Sequence, residues 1–177
     1  MSAESVRFYN TLVTMLALVA LALAIGLIVY RLVMGPKAST ALGNNALWFA
    51  WLVAVVATAG SLIYSEVIHF IPCRLCWYQR IAMYPMSVIL LVGAIRREVV
   101  VKYYALPFAL GGLAISIWHY LTQTFPSLEG GSCDPNNPCS AKYVDVFGFV
   151  SIPFMAGAGF TLIAALLIFY VRASNHE

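Results

Sequence analysis

The charged residues of this chain are so few, and so spaced, that they divide it into long apolar runs. Among 177 residues there are 10 Lys and Arg and 7 Asp and Glu. Uncharged stretches lie between Arg7 and Arg31, Lys37 and Glu66, Arg80 and Arg96, Lys102 and Glu129, and Asp145 and Arg172. An ionised side chain at the centre of a bilayer costs a few kcal/mol or more, so spans tend to exclude it. Four of the five runs exceed the roughly 20 residues needed to cross a hydrocarbon core of about 30 Å. The pattern predicts five transmembrane helices, near residues 8–33, 46–65, 76–95, 103–122 and 151–171.

Composition agrees. With 62% hydrophobic and 10% charged residues, the chain lacks the polar surface that a soluble globule of this size requires. Strands of a membrane barrel alternate inward and outward residues, and these runs do not, so the expected fold is an all-α membrane protein. Pro85, Pro107 and Pro153 are tolerable in membrane helices, where neighbours satisfy the freed carbonyls. Gly93, Gly111, Gly112, Gly157 and Gly159 are expected to let backbones approach. The net charge of +3 is scattered, which gives no nucleic-acid footprint. The apolar stretch Leu12–Met34 is longer than a signal-peptide core, and Glu4 beside Arg7 replaces the usual basic cluster; a retained anchor is expected.

Five spans fix a parity. The N-terminus and the loops at 66–75 and 123–150 fall on one side, with Arg7, Arg74, Arg80 and Lys142. Arg31, Lys37, Arg96, Arg97, Lys102 and Arg172 fall on the other. This modest positive-inside bias puts all four cysteines on the extracytoplasmic side, where disulfides persist.

Cys73-Arg74-Leu75-Cys76 is a CxxC motif preceded by Pro72, and Cys133 and Cys139 share a loop rich in Pro, Asn and Asp. A four-cysteine zinc site would use such a CxxC half, although the second pair is spaced widely for it. Inert structural disulfides are a second reading, but a helix bundle in lipid has little need of staples. Covalent haem wants CxxCH, and position 77 is Trp. Redox exchange is favoured by local geometry. Residues 81–95 alone make only roughly 22 Å of helix, too short to span, so the third helix must begin near Leu75. Cys76 then lies in its first turn, where the helix dipole favours a thiolate. Arg80, four residues on, projects from the same face at the edge of the hydrocarbon. There it can snorkel, or serve a thiolate or the oxygen of a lipid-soluble electron acceptor.

The string Pro72-Cys73-Arg74-Leu75-Cys76-Trp77-Tyr78-Gln79-Arg80 resembles the PCxLCxxxR signature of the DsbB family of disulfide bond formation proteins. The second pair, followed by Phe147-Gly148-Phe149-Val150-Ser151-Ile152-Pro153, looks like the short-loop BdbC-type branch. The resemblance implies a DsbB-type four-helix bundle over 46–177, with residues 1–45 as an additional N-terminal transmembrane helix and linker. It implies a bacterial cytoplasmic-membrane enzyme that reoxidises a thioredoxin-fold, DsbA-like oxidase and passes electrons to ubiquinone or menaquinone. On that pattern Cys133 forms the mixed disulfide with the partner, Cys139 attacks Cys73, and Cys76 is freed beside the quinone. Arg80 binds the head group, and His119 falls where it can hydrogen-bond a quinone oxygen or, alternatively, a backbone carbonyl. Trp77 adjoins Cys76, so it either borders the same pocket or belongs to an aromatic belt with Trp48, Trp51, Tyr78 and Trp118. A vitamin K epoxide reductase relative is the nearest rival, but there the loop pair precedes the CxxC. A small transporter would show polar or broken helices at the midplane.

The stretch from Val144 to Phe149 is expected to lie in the interface and hold the loop down.

Overall fold

The computed structural model describes residues 2–34, 45–131 and 133–169. Helices account for most of the described backbone: α1 (Ala3–Met34), α2 (Ala46–Leu62), α3 (Arg74–Arg96), α4 (Val101–Thr124) and α5 (Ile152–Phe169). A π-helical turn, Ile63–Val67, extends α2, and a 3₁₀ turn, Pro126–Glu129, follows α4. No strand forms among the described residues, only two isolated bridges in the loop after α4. The all-α expectation holds, with helix starts within a few residues of those read from the charges; the expected end of the last helix at 171 lies outside the described residues.

Four helices, α1, α2 with its π turn, α3 and α4, are long and apolar enough to cross a membrane. At 18 residues, α5 is about 27 Å long by the rise of an α-helix.

The helix that carries the CxxC has explicit boundaries. Pro72 cannot donate a backbone N–H, and Cys73 after it is extended (φ −70°, ψ 172°), the geometry of an N-cap. Its sulfur takes the place of the usual capping oxygen, accepting the Cys76 N–H at 3.4 Å. At the other end Arg97 turns left-handed (φ 53°), and the N–H groups of Arg97 and Glu98 both return to Gly93 O, closing the helix as a Schellman-type cap.

Helices α2, α3, α4 and α5 pack as a ring, and α1 lies outside it against α5. Met86, Leu90, Phe160, Ile163 and Leu167 fill the centre, with Ala50, Ala54, Ala105 and Ala109 bringing backbones close. Of the glycines expected to serve that purpose, two do so tightly: a Cβ on Gly112 would strike the Phe160 ring, and one on Gly93 would strike Val101. Gly157 and Gly159 leave ordinary contact distances, and Gly111 faces open space. Large apolar side chains such as Ile81, Val88, Val92 and Ile117 point outward, as lipid-facing surfaces require.

The N-terminal end of α1 is pinned to the end of α2. Tyr9 donates to the Gly60 carbonyl at 3.1 Å, and Tyr64 donates to Asn10 Oδ1 at 3.0 Å. Tyr64 belongs to the π turn, a local widening of the helix common near functional sites.

Candidate active site

Both cysteine pairs meet at one end of the bundle. Cys73 caps α3 at the end of the loop from α2 and Cys76 lies in the first turn of α3, their sulfurs 3.0 Å apart. The loop between α4 and α5 carries Cys133 and Cys139, joined in a disulfide. Cys73, Leu75, Cys133 and Cys139 form one small buried cluster, flanked by Cys76 and Ile115. Residues more than fifty apart in sequence thus become neighbours. The loop sulfurs, being bonded to each other, are not available as the thiolates of a four-cysteine zinc cage.

His119 joins the pairs. It projects from α4 and is 1% exposed. Its Nε2 lies 3.6 Å from Cys73 Sγ and 3.1 Å from the Cys139 carbonyl oxygen, while Nδ1 meets Gln79 Nε2 at 3.4 Å. With the Gln79 amide donating to Nδ1, the ring proton sits on Nε2 and points at the cysteines. The hydrogen bond with the Cys76 thiol, assisted by His119, holds the Cys73 thiol well below the ordinary range, against the opposing effect of burial.

Several contacts hold the loop pair down. Asn137 Nδ2 donates to Pro72 O at 3.2 Å, Gln123 Nε2 to Ala141 O at 3.2 Å, and Tyr120 OH to Phe149 O at 3.1 Å. Phe70 stacks on Tyr143 from below, and Tyr64 stacks on Phe70 in turn. Val144 and Val150 are buried, whereas Phe147 and Phe149 are exposed, so the stretch expected to lie in the interface does present apolar surface outward. Glu129, which sequence reasoning passed over, accepts the Cys139 N–H at 2.7 Å. Bonding to Ser140 first, and then to the Cys139 and Ser140 backbone, holds its carboxyl below the usual carboxylate range. Its carboxylate and the sulfurs of Cys133 and Cys139 lie within 4.8 Å of one another.

Cys76 faces elsewhere. It borders a cavity of about 520 Å³ between α1, α2, α3 and α5, to which Arg80 also contributes. The sequence expectation that Cys76 and Arg80 share a face is met. Arg80 donates from Nε to Ser61 Oγ and from Nη2 to Ser61 O, each at 3.0 Å. Tyr84 also donates to Ser61 Oγ, at 3.2 Å. The Trp77 ring lies beneath the guanidinium, 5.3 Å from its carbon. Trp77 therefore supports Arg80 rather than lining the cavity, and His119, also expected near the acceptor, bonds instead to Cys73, Gln79 and the Cys139 carbonyl.

A dithiol pair packed on a disulfide, with a histidine between them and a membrane-embedded cavity beyond, is built for thiol–disulfide exchange. Residues 43–170 match the family described as disulfide bond formation protein DsbB.

The chain belongs to the DsbB family.

Its similarity to individual members is high. It is 45% identical over 146 residues to a probable disulfide formation protein of Oceanobacillus iheyensis, covering 80% of this chain and 99% of that one. It is 48% identical over 118 residues to disulfide bond formation protein C of Bacillus subtilis, covering 66% and 86%. A probable disulfide formation protein C of Halalkalibacterium halodurans is 41% identical over 130 residues, covering 73% and 95%. No solved structure matches. The family and the apolar helices together make this a multi-pass membrane protein of disulfide bond formation.

Proposed function

We propose that the protein takes electrons from a reduced thioredoxin-fold, DsbA-like oxidase through Cys133 and Cys139, then through Cys73 and Cys76, to a membrane quinone. One observation carries this reading: the two sulfurs of the CxxC face different neighbours. Cys73 packs with the loop disulfide, and Cys76 borders the cavity with Arg80.

The exchange steps conserve electrons. A partner thiolate attacks Cys133, the Cys133–Cys139 bond breaks, and Cys139 leaves as a thiolate. The partner's second thiolate then attacks its sulfur bonded to Cys133, leaving the partner oxidised and the loop pair reduced. Cys139 next attacks Cys73 of the oxidised CxxC, and Cys76 leaves with the electron pair. Cys133 attacks Cys139, restoring the loop disulfide and returning Cys73 to the thiol state. While Cys73 is tied to Cys139, the α3 N-terminus and the Arg80 cation remain to favour charge on Cys76. His119 holds the Cys73 sulfur by its Nε2–H as that sulfur changes partners.

The cavity fits a quinone by chemistry. Its cysteine end presents Cys76, Arg80, Ser61 and Tyr84, and its deeper wall is aliphatic. Arg80 and Cys76 would hold the head group, which supplies a two-electron, two-proton sink. The positive-inside bias supports a bacterial cytoplasmic membrane with the cysteine loops outside.

The test is stopped-flow quinone absorbance in nanodiscs on addition of a reduced DsbA-like oxidase. Reduction by the native protein but not by Cys76→Ser is expected. No reduction with either ubiquinone or menaquinone analogues and several partners would overturn the reading.

A further inference from the structure

Helix α1 lies outside residues 43–170, the part matched to the family, yet it forms one whole side of the cavity that Cys76 and Arg80 border. Its contribution runs from Tyr9 to Leu23, about 21 Å along the helix axis. The cavity changes character over that length. Near the cysteines its wall offers hydroxyl, thiol, amide and guanidinium groups; the rest is apolar, with the half-exposed Leu16 and Leu23 and with Ala20 from α1, and Val53, Met83 and Ala156 from the other helices. A void of about 150 Å³ already accommodates benzene, so 520 Å³ holds a ring with ample apolar volume to spare. The cysteine end is roofed: Tyr9 packs edge-on to Tyr64 with centroids 5.1 Å apart, Tyr64 stacks on Phe70, and Phe70 on Tyr143. Tyr9 and Asn10 anchor α1 beneath that roof through Gly60 and Tyr64.

We propose that α1 is a wall of the electron-acceptor site, and that the groove it closes against α2 and α5 holds the isoprenoid tail of the quinone. This rests on the quinone reading above. It assigns the additional helix a role in choosing the acceptor. Lipid tails are as apolar as the groove, so the groove supplies no transfer free energy. What it supplies is orientation: a tail lying along α1 directs the head group up towards Cys76 and Arg80, and the pinned end of α1 prevents exit past the cysteines.

The experiment uses full-length protein in nanodiscs and compares Ala20→Phe, which fills the groove, with Val29→Phe, an exposed position on α1 outside the cavity. A phenyl ring at position 20 takes up space the tail would occupy, so Ala20→Phe is expected to raise KM for a long-tailed quinone roughly tenfold. Its kcat, its exchange with a reduced partner in the absence of quinone, and its KM for a quinone with a single isoprene unit should stay near native values. Val29→Phe should behave as native. Unchanged KM values in Ala20→Phe, or an equal rise for both quinones, overturn the role of α1 and leave the quinone reading intact; no quinone reduction by the native protein overturns both. Because Ala20→Phe can fail to fold, the native protein is also labelled with a quinone carrying a photoreactive tail. Label on α1 between Leu12 and Leu23 is expected, and label confined to the other helices overturns the proposal.

Discussion

His119 and Cys73 are joined between α4 and the start of α3, with Nε2 3.6 Å from Sγ, and the same nitrogen reaches the Cys139 carbonyl at 3.1 Å. One buried ring therefore fixes the distance between the two redox pairs.

Replacing it with phenylalanine keeps a planar ring but removes the donor. Cys73 titrates below an ordinary thiol, first because of Cys76 and then His119. Its thiolate reactivity is present above that lowered value and lost as the pH falls through it. A hydrogen bond to a charged group is worth about 1.5–3 kcal/mol, so His119→Phe should move the loss upward by about one to two pH units. The check is the pH dependence of Cys73 alkylation in the reduced protein, with sites assigned by mass spectrometry. An unmoved profile would reduce His119 to packing.

Ser61 takes two hydrogen bonds from Arg80 and one from Tyr84. If it positions the guanidinium at the cavity, Ser61→Ala should raise KM for quinone severalfold and spare partner exchange. Arg80→Lys discards the planar fork as well and should cost more, about tenfold or above. Equal KM values in both variants and the native protein would leave Arg80 as a snorkelling residue.

Glu129 tethers the loop pair through the Cys139 N–H and Ser140. Its carboxyl is depressed in the fold, so the tether is complete above the ordinary carboxylate value and weakens as pH falls through the lowered one. Glu129→Ala should let a phosphine reductant open Cys133–Cys139 several times faster at neutral pH, consistent with loss of a hydrogen bond of about 1 kcal/mol or more. Reduction rates measured by thiol release decide it.

Gly112→Ala puts a methyl into the ring of fully buried Phe160. Overpacking predicts a loss of about 1–3 kcal/mol, read as a lower unfolding midpoint in detergent. Gly111→Ala, which meets open space, is the matched control and should be near neutral.

The helices were legible because membrane insertion is decided by local charge, and the start of α3 because Arg80 made a shorter helix unable to span. The shared face of Cys76 and Arg80 followed from their spacing of four. Which faces look inward did not follow: the spans are apolar all round, so hydropathy marks no seam between α1 and α5. Tyr9, Asn10 and Tyr64 belong to no motif, and only packing brings them together. Glu129 looked like the end of an apolar run, since its bond to Cys139 depends on the fold of a ten-residue loop. His119 was visible as a histidine near the right helix end, but its partners come from α3 and from the loop after α4.

The burial of the sulfurs carries a consequence for the economy of a living cell. Cys139 has no solvent exposure, Cys73 only 3% and Cys133 8%, so a small dissolved thiol colliding with this surface finds little sulfur to attack. The burial acts as insulation: it slows a stray reductant without barring it.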